Sequence, residues 1–217
     1  MIITIDGPAG AGKSSAAKAL AKRLGFEFLD TGAMYRAVTL AVLRAGLDAR
    51  DAEAMTRLMA GLQLEMPPGK VLLNGEDVTD LLRSAQITAA SGAVADSAPV
   101  RRRLVELQRV IAAGRDMVCE GRDQGTVVFP DAACKFFFTA DAVERARRRQ
   151  AEMRARGEVV SAEEVLRAQE QRDRRDQARD LGPMVPAADA IVLDTTHLPP
   201  DEVVARMEQE VRRCRAG

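Results

Sequence analysis

Gly7-Pro8-Ala9-Gly10-Ala11-Gly12-Lys13-Ser14, followed by Ser15, carries the spacing G-x-x-x-x-G-K-[ST]. Glycines at these positions let successive backbone N–H groups converge on phosphate oxygens, and the N-terminus of a following helix favours the same anion. A lysine in the Lys13 position bridges β- and γ-phosphates, and a hydroxyl in the Ser14 position holds Mg²⁺. Gly7 to Ser15 is therefore the candidate ATP-binding segment, with Lys13 as its catalytic cation and Ser14 as the candidate metal ligand.

Such a loop works only between a buried strand and a helix, and the flanking sequence supplies both. Ile2 to Ile5 read as a first strand, and the alanine-rich run from Ser14 to Leu24 as a helix stopped by Gly25. Phe26 to Asp30 and Ala33 to Ala45, closed by Gly46, repeat the alternation, which predicts a largely parallel sheet. Short strand candidates at Leu62–Met66 and Val71–Leu73, around turns at Pro67-Pro68-Gly69 and Asn74-Gly75, predict a small inserted β lobe. Helices are expected over Gln86–Ser97 and Pro99–Ala113, and buried strands over Met117–Glu120 and Cys134–Thr139. Two charged helices follow, Val143–Arg156 and Ser161–Arg179, hinged at Gly157–Val160; Ser161 and Glu164 open the second with a capping box. Ala190–Asp194 is the fifth core strand, and Asp201–Arg215 a closing helix.

Composition narrows the setting. Apolar residues make up 47% of the 217, and Lys plus Arg equals Asp plus Glu at 32 each, which fits one globular domain without a general affinity for nucleic acid or anionic membrane. The apolar run at Met1–Asp6 is too brief for a signal core, and Cys119, Cys134 and Cys214 lack the spacing of a zinc or redox motif. A cytoplasmic enzyme without membrane or nucleic-acid partners is expected. The chain has no Asn-Lys-x-Asp to read guanine, which moves a small-molecule kinase ahead of a GTPase.

Leu29-Asp30-Thr31-Gly32-Ala33-Met34-Tyr35-Arg36 and Glu120-Gly121-Arg122-Asp123-Gln124-Gly125-Thr126-Val127-Val128-Phe129-Pro130-Asp131-Ala132 carry a more specific signal. With the phosphate loop, Arg145 to Arg149, Arg172 to Arg179 and Pro186 to Ala190, these runs resemble the bacterial cytidylate kinases along essentially the whole chain. The resemblance implies a three-layer α/β P-loop kinase fold with a five-stranded parallel sheet. It implies a core of about 1–30, 84–140 and 186–217, a region of about 31–83 that binds the nucleoside monophosphate, with its β insert near 62–78, and an arginine-rich lid of about 145–180.

It also implies transfer of the γ-phosphoryl group of ATP, with Mg²⁺, to CMP or dCMP by a monomeric enzyme. Arg36 and Arg122 would clamp the acceptor phosphate, because guanidinium forks match phosphate oxygens. Thr31, Arg101, Asp123 and Arg179 would surround the base, and the Asp123 carboxylate would accept from the exocyclic amine that separates cytosine from uracil. Arg172 and Asp176 would lie near the ribose. Arg148 and Arg149, with Arg175 and Arg179, would close over the transferring group; Arg122, Arg148, Arg175 and Arg179 join Lys13 as catalytic candidates. The sequence departs from the family at Arg174, where an acid is usual, and at Gln177, where arginine is usual; Ser91 matches the family's nucleoside-binding serine only with a one-residue shift relative to Arg101.

Several residues keep two readings. Asp30 caps the next helix or assists the metal. Arg102, Arg103 and Arg145 read as solvated helix charge, His197 as a surface residue, and Phe136-Phe137-Phe138 as core strand. Rival functions are a P-loop kinase acting on UMP, AMP or a non-nucleotide such as shikimate, and a nucleotide-dependent regulatory switch.

Overall fold

The apolar strand that precedes the phosphate loop lies at the centre of a sheet. In a computed structural model, which describes residues 1–216, β1 (Ile2–Asp6) pairs in parallel with β6 (Met117–Glu120) on one side and β7 (Cys134–Thr139) on the other. β2 (Glu27–Asp30) and β8 (Ile191–Asp194) complete the five-stranded order β2-β6-β1-β7-β8. Continuous burial of β6 and β7 explains their apolar runs, as expected for parallel strands covered on both faces.

The chain forms two compact units, one of Met1–Phe28 with the chain from Arg115 onward, the other of Leu29–Gly114. In the first unit, α1 (Lys13–Leu24) and α8 (Pro200–Ala216) pack on each other and on one sheet face. Ile3, Ile5, Val118, Phe136 and Phe138 meet Ala17, Leu20, Val204 and Met207 in that core. The other face of β1 carries Thr4 and Asp6, against which the single π-helical turn Gln124–Val128 is packed. The two charged helices expected from the sequence are α6 (Ala142–Arg154) and α7 (Ala162–Gln177), packed on each other, and the capping box at Ser161 and Glu164 is present.

In the second unit, α2 (Thr31–Arg44) begins two residues before the expected Ala33, because the Asp30 carboxylate accepts the Ala33 N–H at 2.9 Å and caps it. α2 packs on α4 (Ala85–Asp96), and α3 (Ala52–Gly61), which the sequence reading did not mark, packs on α5 (Ala98–Ala112). The β lobe is an antiparallel sheet of β3 (Leu64–Glu65), β4 (Leu72–Leu73) and β5 (Glu76–Asp77). Its third strand was invisible to an apolar pattern because both residues are exposed acids.

Phe136, Phe137 and Phe138 are core strand, and His197 is exposed. Cys134 and Cys214, 80 residues apart, lie with their sulfurs 2.8 Å apart as free thiols, a proximity the spacing did not suggest.

Candidate active site

The phosphate loop has the backbone its glycines predict. Gly7 has φ +133, and a Cβ there would stand 2.3 Å from the Phe138 carbonyl oxygen, so neither the conformation nor the space admits a side chain. Gly12, in the left-handed region, leads into α1, whose first residue is Lys13. Ser14 and Ser15 are exposed at that helix start. Lys13 is buried, and its Nζ donates to the Pro8 carbonyl at 2.7 Å. Burial and then the Arg122 charge pull its pKa down to about 7, against the opposing pull of Glu120 and Asp6.

Asp6, the last residue of β1, is buried beneath this loop. Its Oδ1 accepts the Gln124 N–H at 2.9 Å and its Oδ2 the Gly125 N–H at 2.8 Å. Burial pushes its pKa up to about 6 in spite of those two bonds. One carboxylate thus joins the root of the phosphate loop to the turn that follows Arg122 and Asp123. Sequence reading missed Asp6; the available signal was an acid ending an apolar strand immediately before a phosphate loop.

Asp176 on α7 gathers three of the expected arginines. Its Oδ2 accepts from Arg122 Nε at 3.1 Å and lies 3.8 Å from Arg172 Nε, and its Oδ1 accepts from Arg179 Nη2 at 2.7 Å. Burial alone would raise the Asp176 pKa; Arg122, Arg172 and Arg179 outweigh it and hold the carboxyl below its usual range. Asp123, next to Arg122, is buried, and Arg175 is exposed on α7. Arg148 lies in a different cluster: it bonds Glu144 at 2.9 Å and the Thr195 and Thr196 carbonyls at 2.7 and 3.0 Å. Arg149 pairs with Glu152 at 3.0 Å.

Arg145 corrects the sequence reading. Rather than facing solvent, it is buried and bonds the Ala9 carbonyl of the phosphate loop at 3.1 Å and Asp173 at 2.5 Å. Its position in a run of charge, Glu144 to Arg149, concealed it.

In the second unit, Arg36 Nη1 donates to the Leu82 carbonyl at 3.1 Å and to Thr88 Oγ1 at 2.9 Å, while the Thr88 carbonyl accepts from Ser91 at 3.0 Å. Arg101 is buried, with its guanidinium 5.9 Å from the Tyr35 ring centre. Thr31 is buried at the start of α2.

A family model of cytidylate kinases matches residues 3–213. The chain belongs to the cytidylate kinase family. A cytidylate kinase from Rhodopirellula baltica is 50% identical over 214 residues, covering 99% of this chain and 93% of its own. Another, from Pelotomaculum thermopropionicum, is 48% identical over 220 residues, covering 99% and 96%. Cytidylate kinase membership makes the chain a nucleotide-binding phosphotransferase of the P-loop class. Among solved structures, a shikimate kinase from Bacteroides thetaiotaomicron superposes with a TM-score of 0.50 at 11% identity, covering 98% of both chains. A protein from Eubacterium ventriosum does so at 0.56 and 13%, again covering 98% of both. Both likenesses show the fold, and the five-stranded parallel sheet is the one expected.

Among the described residues of this cytidylate kinase-family chain, no three His, Cys, Asp or Glu side chains group as a metal cage. Mg²⁺ keeps several waters and binds through phosphates and one or two protein oxygens, a need that a single hydroxyl beside a phosphate loop fits. Ser14 presents such a hydroxyl at the start of α1. Among the described residues, no helix is long and apolar enough to cross a membrane.

Proposed function

We propose that the chain transfers the γ-phosphoryl group of ATP to CMP or dCMP, giving ADP and CDP or dCDP. The observation that carries the reading is Arg122, held by Asp176 beside Arg172 and Arg179 and directly preceding the buried Asp123, in a chain with cytidylate kinase relatives at 48–50% identity.

On this reading, Gly7 to Ser15 binds the donor phosphates through backbone N–H groups and Lys13, and Ser14 holds Mg²⁺, which supplies charge neutralisation at the phosphates. Arg36 and Arg122 take the acceptor phosphate; Thr31, Arg101, Asp123 and Arg179 take the base; Arg172 and Asp176 take the sugar. Lys13, Arg122, Arg148, Arg175 and Arg179 stabilise the negative charge on the transferring group. Phosphoryl transfer through a loose transition state needs little covalent help, so positioned cations suffice and no phosphoenzyme forms.

The division into core, acceptor lobe near 31–83 and lid near 145–180 belongs to the same proposal, as do a monomeric state and action in the cytoplasm on free nucleotides. Equal numbers of basic and acidic residues support the last.

The test is ADP release from MgATP with CMP, dCMP, UMP, AMP, GMP or shikimate, by the wild type and Asp123→Ala. CMP and dCMP are expected as the strong acceptors, with Asp123→Ala selectively impairing them. Equal ADP release without acceptor would overturn the reading in favour of a switch.

A further inference from the structure

Lid helices are expected to be solvated, yet one arginine of α6 is buried against the phosphate loop. The Arg145 Nη1 donates both to the Ala9 carbonyl at 3.1 Å and to Asp173 Oδ2 on α7 at 2.5 Å, while its Nε donates to the Ala140 carbonyl at 3.1 Å. Gln169, one turn before Asp173, brings its Nε2 to 3.5 Å from the same Ala9 oxygen. The approach is as close as backbone permits: a Cβ on Gly10 would stand 2.8 Å from Gln169 Nε2 and 3.0 Å from the Arg145 carbonyl oxygen.

Holding two helices together does not require this arrangement. An apolar pair of similar volume packs a buried interface as well as, or better than, an ion pair whose charges must be stripped of water. What an apolar pair lacks is a donor for the Ala9 carbonyl. That carbonyl belongs to the peptide whose other end is the Gly10 N–H, so fixing the oxygen fixes the direction of an N–H in the phosphate loop. Arg145 reaches it while anchored by Asp173, one residue beyond Arg172 and three before Asp176 on α7.

We propose that Arg145 and Asp173 are positioning residues for the nucleotide donor: they set the phosphate loop against α6 and α7, so that the loop's N–H groups and the α7 arginines are placed as one unit. This inference rests on the donor-site reading of Gly7 to Ser15. It assigns neither residue any contact with the reacting atoms.

The test compares wild type with the double variant Arg145→Met/Asp173→Leu, and with Asp173→Asn, in steady-state kinetics with MgATP and CMP alongside thermal unfolding. The apolar pair is expected to fold with a cooperative transition, to raise the KM for ATP about tenfold, and to leave the KM for CMP within about twofold. Asp173→Asn, which keeps the shape and one acceptor, is expected to shift the ATP KM in the same direction by less, and it carries the test alone if the double variant does not fold. An unchanged ATP KM in a folded variant, or equal rises in both KM values, overturns the proposal. Absence of CMP-dependent ADP release by the wild type would instead count against the proposed function, which separates the two failures.

Discussion

The Oδ2 of Asp6 accepts the backbone N–H of Gly125 at 2.8 Å, across 119 positions of sequence. With Oδ1 on the Gln124 N–H, the carboxylate is used at both ends, and an amide cannot replace it because one end of Asn is a donor. Asp6→Asn is expected to leave the sheet intact and to lower kcat/KM for CMP by roughly tenfold to a hundredfold, read by steady-state kinetics.

Asp6 also sets a pH dependence of stability. Its pKa is raised from 3.8 to about 6 by burial, so the folded state binds its proton more tightly than the unfolded chain. The stabilisation from that proton is complete below 3.8 and is lost as pH rises through about 6. Urea unfolding should show the stability of wild type relative to Asp6→Asn to be greatest near pH 3, below the unfolded value of 3.8, and lower by about 3 kcal/mol at pH 7.

Lys13 should display a conflict between stability and function. Burial and Arg122 pull its pKa from 10.5 to about 7, so keeping it protonated in the folded state is costly, and the penalty fades as pH rises from about 7 toward 10.5. Lys13→Met is expected to raise the melting temperature at neutral pH while lowering kcat by roughly a thousandfold. Differential scanning calorimetry paired with the ADP-release assay checks both halves.

Arg122 makes a fork that lysine cannot copy. Arg122→Ala and Arg122→Lys are both expected to lose about 3–4 kcal/mol of transition-state stabilisation, several hundredfold in kcat/KM. Asp176→Asn, which keeps the three arginines but removes the charge that gathers them, should lose less, about tenfold to a hundredfold, with the loss appearing in kcat/KM for CMP. Steady-state kinetics across the three variants ranks them.

Cys134 and Cys214 predict a slow covalent link. Burial, then the hydrogen bond from Cys214, pushes the Cys134 thiol above its usual range, which keeps its thiolate scarce. Diamide should remove the two thiol hydrogens and join the sulfurs within one chain, over hours rather than minutes at neutral pH. Peptide mass mapping before and after reduction, with Cys134→Ser as control, reads the result.

β6 and β7 were legible because burial on both faces leaves mainly apolar runs, and Met117–Glu120 and Cys134–Thr139 coincide with their expected limits. The phosphate loop was legible because its function depends on backbone shape, which glycine spacing records directly. The β5 strand and the π turn at Gln124–Val128 were not, since neither depends on an apolar pattern: one is two exposed acids, and the other is held by Asp6 from far away in sequence. Arg145 marks the same limit for the site. Its neighbours Arg147 and Arg149 make surface pairs with Glu144 and Glu152, and only tertiary packing separates the buried member from the others.

Asp176 meets Arg122, Arg172 and Arg179 around one carboxylate, much as those cations would meet a phosphate. On the proposed reading, Asp176 is an internal stand-in for the negative charge of the substrate. Three guanidinium groups that would repel one another are kept together by a resident anion, so on that reading an arriving nucleotide would enter a field already arranged for negative charge. Capture would then start from cations already gathered rather than from the assembly of a binding site out of scattered side chains.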